Sequence, residues 1–292
     1  MSVGTEDRGE ARRESEAATM TEVTVDGLRT RYRVDGDGDP VLLLHGIART
    51  HADWTEQHAL LSDRFRVYSV DLAGFGGSDP LPGRYSLQAL ADFVERFLDA
   101  VGVAEPMHLV GNSLGGAVAM RVSVQSPERV RSLALVNSAG FGKEVTIALR
   151  LLAVRGLAAL LLRPSRYGAR QVVRSLYVDQ AHVTAERVEY GYRIATRPHA
   201  ARVMTELARS LGSLRGVRQA WRDELLTAVA AAKVPTLVVW GDRDLILPAA
   251  HLEAARTLLP HARFHLFRNT GHMPQVERAE EMSELLADFW GA

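Results

Sequence analysis

Met107-His108-Leu109-Val110-Gly111-Asn112-Ser113-Leu114-Gly115-Gly116 is a short apolar run ending in a Gly-x-Ser-x-Gly turn that leads straight into a helical pattern over residues 114–125. Glycines on both sides of the serine permit a strained reversal in which neighbouring backbones approach closely, and the strain exposes the Ser113 hydroxyl at its tip. Runs of the same kind recur at residues 41–44, 67–70, 133–136, 237–240 and 264–267, as expected of strands buried on both faces of a parallel sheet. Helical patterns separate them, over residues 54–61, 86–101 with Ser86 as N-cap, 249–259 and 274–290. Upstream, Val23 and Val25, then Leu28, Thr30, Tyr32 and Val34, alternate about Asp26-Gly27, a hairpin signal. Strands alternating with helices specify a mostly parallel, doubly wound α/β sheet. Ligands bind such a sheet at the carboxyl ends of its strands, where Ser113 lies.

A serine hydroxyl is a weak nucleophile at neutral pH and needs a base, itself oriented by an acid. His272, in Asn269-Thr270-Gly271-His272-Met273-Pro274, is the candidate base, because the loop between the last strand and the last helix returns to the active end of the sheet. His51, His58, His182, His199, His251, His261 and His265 carry no motif and read as solvated or packed. After the strand at 237–240, Gly241-Asp242-Arg243-Asp244 offers two acids. Asp244, deeper in the loop and ahead of Leu245, is favoured to turn toward His272, while Asp242 reads as capping the turn or pairing with Arg243. An acid after the strand at 133–136 is undercut, because Asn137 and Ser138 occupy that place. Asp71, followed by Gly74, Gly76 and Gly77, reads as a loop organiser. A tetrahedral oxyanion needs two backbone donors; Leu114 N–H at the turn supplies one, and Ile47 N–H, in the loop after residues 41–44, the other. Gly46 lets that loop turn back under the serine, and His45 holds it by hydrogen bonds. Gly46, Asn112 and Met273 are also candidates for contact with substrate. The set calls for no cofactor and no metal.

Composition narrows the function further. The 292 residues are 47% hydrophobic and 24% charged, and 35 basic side chains balance 35 acidic ones, so no global excess points to nucleic acid. The absence of cysteine excludes disulfides, thiolate metal sites and a cysteine nucleophile, and it fits a reducing cytoplasm, the expected location. Residues 1–19, almost all charged or small, are expected to form a disordered tail. Neither a signal-type apolar segment of roughly 7–15 residues nor a spanning run of roughly 18 is present, so export by that route and an integral membrane position are not expected.

Residues 143–232 break the alternation with helical patterns and no convincing strand, and read as a helical insertion between core segments 20–142 and 233–292. Residues 143–233 carry 16 Arg or Lys against 7 Asp or Glu, whereas the remainder carries 19 against 28. With only two lysines in the chain, the arginine count reads first as coding bias. The apolar stretch 147–162, with Arg150, Arg155, Arg163 and Arg166, is expected as one helix that turns its apolar side to a pocket and its arginines to water. The other reading is a peripheral contact with anionic lipid. Oligomeric state has no signature here.

On His45-Gly46-Ile47, the loop Asp71-Leu72-Ala73-Gly74-Phe75-Gly76-Gly77-Ser78, the Ser113 turn, Asp244 and His272, in the chain order Ser, Asp, His, the sequence resembles the α/β-hydrolase fold superfamily over residues 23–290. The resemblance implies that the insertion before the acid-bearing strand, about residues 143–232, is a cap that forms the substrate pocket. Serine at position 113 argues against the branches whose turn carries an aspartate. Asn112 beside Ser113 is similar to the hydrolases that cleave carbon–carbon bonds in ring-fission products, but the loop Gly46-Ile47-Ala48-Arg49-Thr50-His51 lacks that branch's glycine and proline, and Met273 replaces its aromatic residue. The expected function is therefore a serine hydrolase acting on a small-molecule carboxylic ester, with the carbon–carbon hydrolase as the alternative. Lactonase, acyltransferase, perhydrolase and a ligand receptor on the same scaffold stay open.

Overall fold

Asp26 and Gly27, both at positive φ (47° and 81°), turn the chain tightly enough for β1 (Met20–Val25) to pair antiparallel with β2 (Leu28–Asp35). In this computed structural model, which describes residues 20–291 except Arg155, the tail expected over residues 1–19 lies outside the described residues. The remaining strands are β3 (Asp39–Leu44), β4 (Phe65–Val70), β5 (Met107–Asn112), β6 (Val130–Val136), the two-residue pair β7 (Gly212–Ser213) and β8 (Gly216–Val217), β9 (Thr236–Gly241) and β10 (Arg263–Phe267). The main sheet runs β1-β2-β4-β3-β5-β6-β9-β10, parallel from β4 to β10. This is the expected doubly wound α/β architecture.

Side chains alternate across a strand, so the apolar runs divide between two layers. Leu42, Leu44, Leu109, Leu133 and Trp240 join the core under α2 (Leu87–Ala100) and α3 (Leu114–Gln125). Val41, Leu43, Val110, Ala134 and Val239 face the other layer, where Leu61 of α1 (Thr55–Leu61) and Met282 and Leu286 near the C-terminus cover them. Ser86 caps α2 as expected, its hydroxyl accepting from Ala89 N at 3.1 Å.

Between β6 and β9 come α4 (Ile147–Leu152), α5 (Leu157–Leu161), α6 (Arg166–Leu176), α7 (Ala185–Ala195), α8 (Ala200–Leu211) and α9 (Gln219–Ala232). Because β6 and β9 are adjacent and parallel, the insertion stands at the carboxyl ends of the sheet. Three details depart from the sequence reading. The single helix expected over 147–162 is two: the first ends at Leu152, and the second starts after Gly156, whose φ of 84° is outside the helical range. The β7–β8 pair was not expected; Val217 N donates to Lys143 O at 2.9 Å and ties it to the start of the insertion. Finally, α9 packs on α3 and buries Leu225, Leu226 and Val229 in the core, so the part overhanging the sheet is α4 to α8.

The chain ends with α10 (Ala250–Leu258), α11 (Pro274–Glu277) and α12 (Ala279–Trp290). The helix expected over 274–290 breaks at Arg278 (φ −133°), whose guanidinium reaches back to Thr270 Oγ1 and Arg268 O, both at 3.3 Å. No helix among the described residues is long and apolar enough to cross a membrane.

Candidate active site

Ser113 links β5 to α3 with φ 57° and ψ −116°, a backbone state that costs on the order of 1–3 kcal/mol and persists only where the surroundings enforce it. Here they do. A Cβ on Gly111 would lie 2.3 Å from Gly115 O, and one on Gly115 2.2 Å from Leu44 O, so both flanks must be glycine for the turn to close. The end of β6 pins the serine itself: Ser113 N donates to Val136 O and Ala139 N to Ser113 O, each at 3.0 Å.

β9 and β10 run in parallel register, so the loops after them leave from the same end of the sheet. His272 Nδ1 lies 2.7 Å from Asp244 Oδ2, both side chains buried. The second carboxylate oxygen of Asp244 accepts from Ile246 N (2.7 Å) and Leu247 N (3.0 Å). Burial alone pushes the Asp244 carboxyl up, but His272, the Asn137 amide and these N–H groups outweigh it and hold the group below the ordinary carboxylate range. Asp244 engages Nδ1, so Nε2 is the ring nitrogen turned away from the carboxylate. No hydrogen bond joins Ser113 Oγ to His272 among the described residues; such contacts commonly tighten only when substrate is bound. Asp242 is turned elsewhere, accepting from Thr270 N at 3.3 Å and lying 3.9 Å from Arg268, so the pairing with Arg243 is not formed.

Leu44 pairs with Gly111, which sets the loop after β3 beside the Ser113 turn. A Cβ on Gly46 would lie 3.2 Å from the Ser113 Cβ, so this loop passes directly under the serine. The Ile47 and Leu114 N–H groups find no backbone acceptor among the described residues. His45 Nε2 accepts from Leu72 N at 2.9 Å, which leaves the proton on Nδ1, 2.7 Å from Gly46 O. Burial lowers the His45 pKa and keeps this ring neutral. Asp71 organises its loop as expected, accepting from His51 N at 2.8 Å and Gly77 N at 2.6 Å.

Ile47, Ser113 and Leu114 share a pocket of about 90 Å³ with Val145, Leu149, Trp221 and one charged side chain, Arg150. A larger cleft of about 780 Å³ lies on the other side of the acid loop, between Arg174 and Arg243, and touches neither the serine nor the backbone donors. The three expected contact residues are absent from the pocket wall, Gly46 serving instead to carry its loop under the serine. Asn112 is buried and spends its amide on Val136 O and His272 O (3.1 Å each), and Met273 is fully buried among Val173, Leu176, Tyr177 and Val276.

Sequence reading missed two positioning residues. Asn137, set aside as the wrong residue type for an acid, donates to Asp244 Oδ2 at 2.7 Å. Glu277 joins the insertion to the histidine loop: one oxygen accepts from Val178 N (2.7 Å) and Asp179 N (3.0 Å), the other from Gly271 N (2.6 Å). Its signal was its place one helical turn after Met273. A second Ser-His-Asp grouping is equally instructive. His58 lies 2.7 Å from Ser69 Oγ and 2.6 Å from Asp35, yet Ser69 and His58 are 0% exposed, so no substrate reaches them.

Residues 39–279 match the family model described as alpha/beta hydrolase fold. The chain belongs to that family. It is 35% identical over 287 residues to a dihydrolipoyllysine-residue acetyltransferase component of the acetoin cleaving system of Cupriavidus necator, covering 98% of this chain and 72% of the other. It is 32% identical to a 2-hydroxymuconate semialdehyde hydrolase of a Pseudomonas strain, with 92% of each chain covered. A meta-cleavage product hydrolase from Pseudomonas fluorescens superposes with a TM-score of 0.80 at 26% identity, covering 94% of this alpha/beta hydrolase and 98% of that one.

Proposed function

We propose that this alpha/beta hydrolase is a serine hydrolase that cleaves a small or medium apolar carboxylic ester through an acyl-enzyme. The observation that carries the reading is the His272–Asp244 contact of 2.7 Å at the same sheet end as the strained, pocket-lining Ser113. In this mechanism Ser113 Oγ attacks the ester carbonyl and passes its proton to His272 Nε2, while Asp244 stabilises the imidazolium. The Ile47 and Leu114 N–H groups receive the oxyanion. Collapse of the tetrahedral adduct breaks the bond to the alcohol oxygen, which takes the proton from His272; water then repeats the sequence and frees the acid. No metal or cofactor enters any step. Residues 143–218, the part of the insertion that overhangs the sheet, act as the cap that shapes the pocket, with α4 and α8 supplying its apolar wall.

A second reading is hydrolysis of a carbon–carbon bond in a vinylogous diketone, favoured by the 2-hydroxymuconate semialdehyde and meta-cleavage product hydrolases among the relatives. A fluorophosphonate probe tests the nucleophile: it is expected to label the native chain and not Ser113→Ala, and labelling that persists in the variant overturns the assignment. A chain-length series of p-nitrophenyl esters, run beside a vinylogous 1,5-diketone, separates the two substrate classes.

A further inference from the structure

Between Glu144 and Asp179 the sequence has six arginines and no acidic residue. The helices of this segment also expose large apolar side chains: Ile147 on α4 (68% exposed), Leu160 and Leu161 on α5 (58% and 46%), and Tyr167 on α6 (75%). α4 packs against α5, and α6, which carries Tyr167, follows α5 after four residues of chain. Among the described residues, the acidic core pairs with little of this charge. Of the arginines in the wider insertion, Arg187 reaches a core carboxylate, Glu56 at 2.8 Å, and Arg166 pairs with Glu189 inside the insertion. Exposed Arg163, Arg170 and Arg174 have no carboxylate within salt-bridge distance among the described residues.

We propose that the outer face of α4 to α6 docks on an anionic lipid surface. Apolar side chains interleaved with unpaired arginines are what an interfacial segment needs, the former entering the acyl boundary by about 5–10 Å and the latter meeting phosphate headgroups. The charge partition orients the molecule, because the basic insertion is attracted to such a surface while the remainder, with 28 acidic against 19 basic side chains, is repelled. Leu149 and Arg150, on the inner side of α4, line the pocket beside Ser113. Docking through Ile147 on the same helix therefore sets the pocket wall against the lipid. The inference needs no turnover and stands apart from the hydrolytic reading.

Cosedimentation of the full chain with vesicles of phosphatidylcholine alone, or equimolar with phosphatidylglycerol, tests it. Binding is expected to the anionic vesicles only and to weaken as salt shortens the screening length below about 8 Å. The double variants Leu160→Glu/Leu161→Glu and Arg163→Glu/Arg170→Glu change exposed positions, and each is expected to lower partitioning by roughly tenfold or more with an unchanged circular dichroism spectrum and Tm. Failure to bind anionic vesicles, binding by both variants equal to that of the native chain, or a dimer that Leu160→Glu/Leu161→Glu disperses would each overturn the proposal, the last by assigning the face to a second copy of the chain.

Discussion

Asp242 and Asp244 differ by two positions and by everything around them. Asp244 is buried and gathers His272, Asn137 and two backbone N–H groups, whereas Asp242 caps the Thr270 loop. Asp244→Asn is therefore expected to lower kcat on an ester by up to about 10⁴-fold with the fold intact, and Asp242→Asn to leave most activity; a larger loss in Asp242→Asn exchanges their roles. Glu277 gives the second test at this scale. Glu277→Gln leaves one oxygen to serve both the histidine loop and the insertion, and a lost charge-assisted hydrogen bond of about 1.5–3 kcal/mol at either end is expected to lower kcat about tenfold or more. Unchanged kcat with a lowered Tm would reduce Glu277 to a structural tie. Ser113, Asp244 and His272 were singled out in the sequence because each lies in a loop at a strand's carboxyl end with a motif around it. Asn137 was not, because its partner lies 107 residues away along the chain and no local pattern announces such a bond; Glu277 stands one helical turn after Met273 and binds Gly271 N six residues upstream, but its tie to Val178, 99 residues away, was hidden in the same way.

At the scale of elements, the strands were readable because burial on both faces demands unbroken apolar runs. Leu42 and Leu43 are both 0% exposed yet belong to different layers. Leu42→Ala is expected to cost about 2–5 kcal/mol, read as a lower urea midpoint at unchanged m-value, while Leu258→Ala, at a surface position, stays within about 0.5 kcal/mol. Equal midpoints would mean that the layer under α2 and α3 does not carry the fold. The helix breaks were harder to read. Periodicity runs through Gly156 and Arg278 without interruption, yet α4 ends at Leu152 and α5 starts afresh after the positive φ of Gly156, while at Arg278 a side chain reaches back to the preceding loop. The side α9 takes was hidden for a related reason, since an amphipathic helix shows that it buries a face but not against which neighbour.

For the whole molecule, burial of neutral histidines sets the response to acid. His45, His58 and His251 are held below the usual histidine pKa by burial, and His108, which stacks on Trp290 and contacts Ser132 Oγ at 2.8 Å, is pushed down to about 4. Above about pH 6.5 these rings are neutral both folded and unfolded, and they contribute no pH dependence. As pH falls through that value the unfolded chain takes up protons that the folded chain refuses, so stability declines until the folded rings themselves titrate, for His108 near pH 4. The depressed carboxylates Asp35, Asp71 and Asp244 act in the same direction but lower, below the ordinary aspartate value of 3.8. The two groups thus occupy separate windows. Tm is expected to fall progressively from about pH 6.5 to about pH 4.5, before the aspartates begin to protonate in the unfolded chain. His108→Asn, which keeps a polar group near Ser132 and cannot take a proton, is expected to be less stable at pH 7 but to show a shallower decline across that interval. A flat Tm over the interval, or an equal slope in His108→Asn, would show that the buried histidines do not govern the acid response.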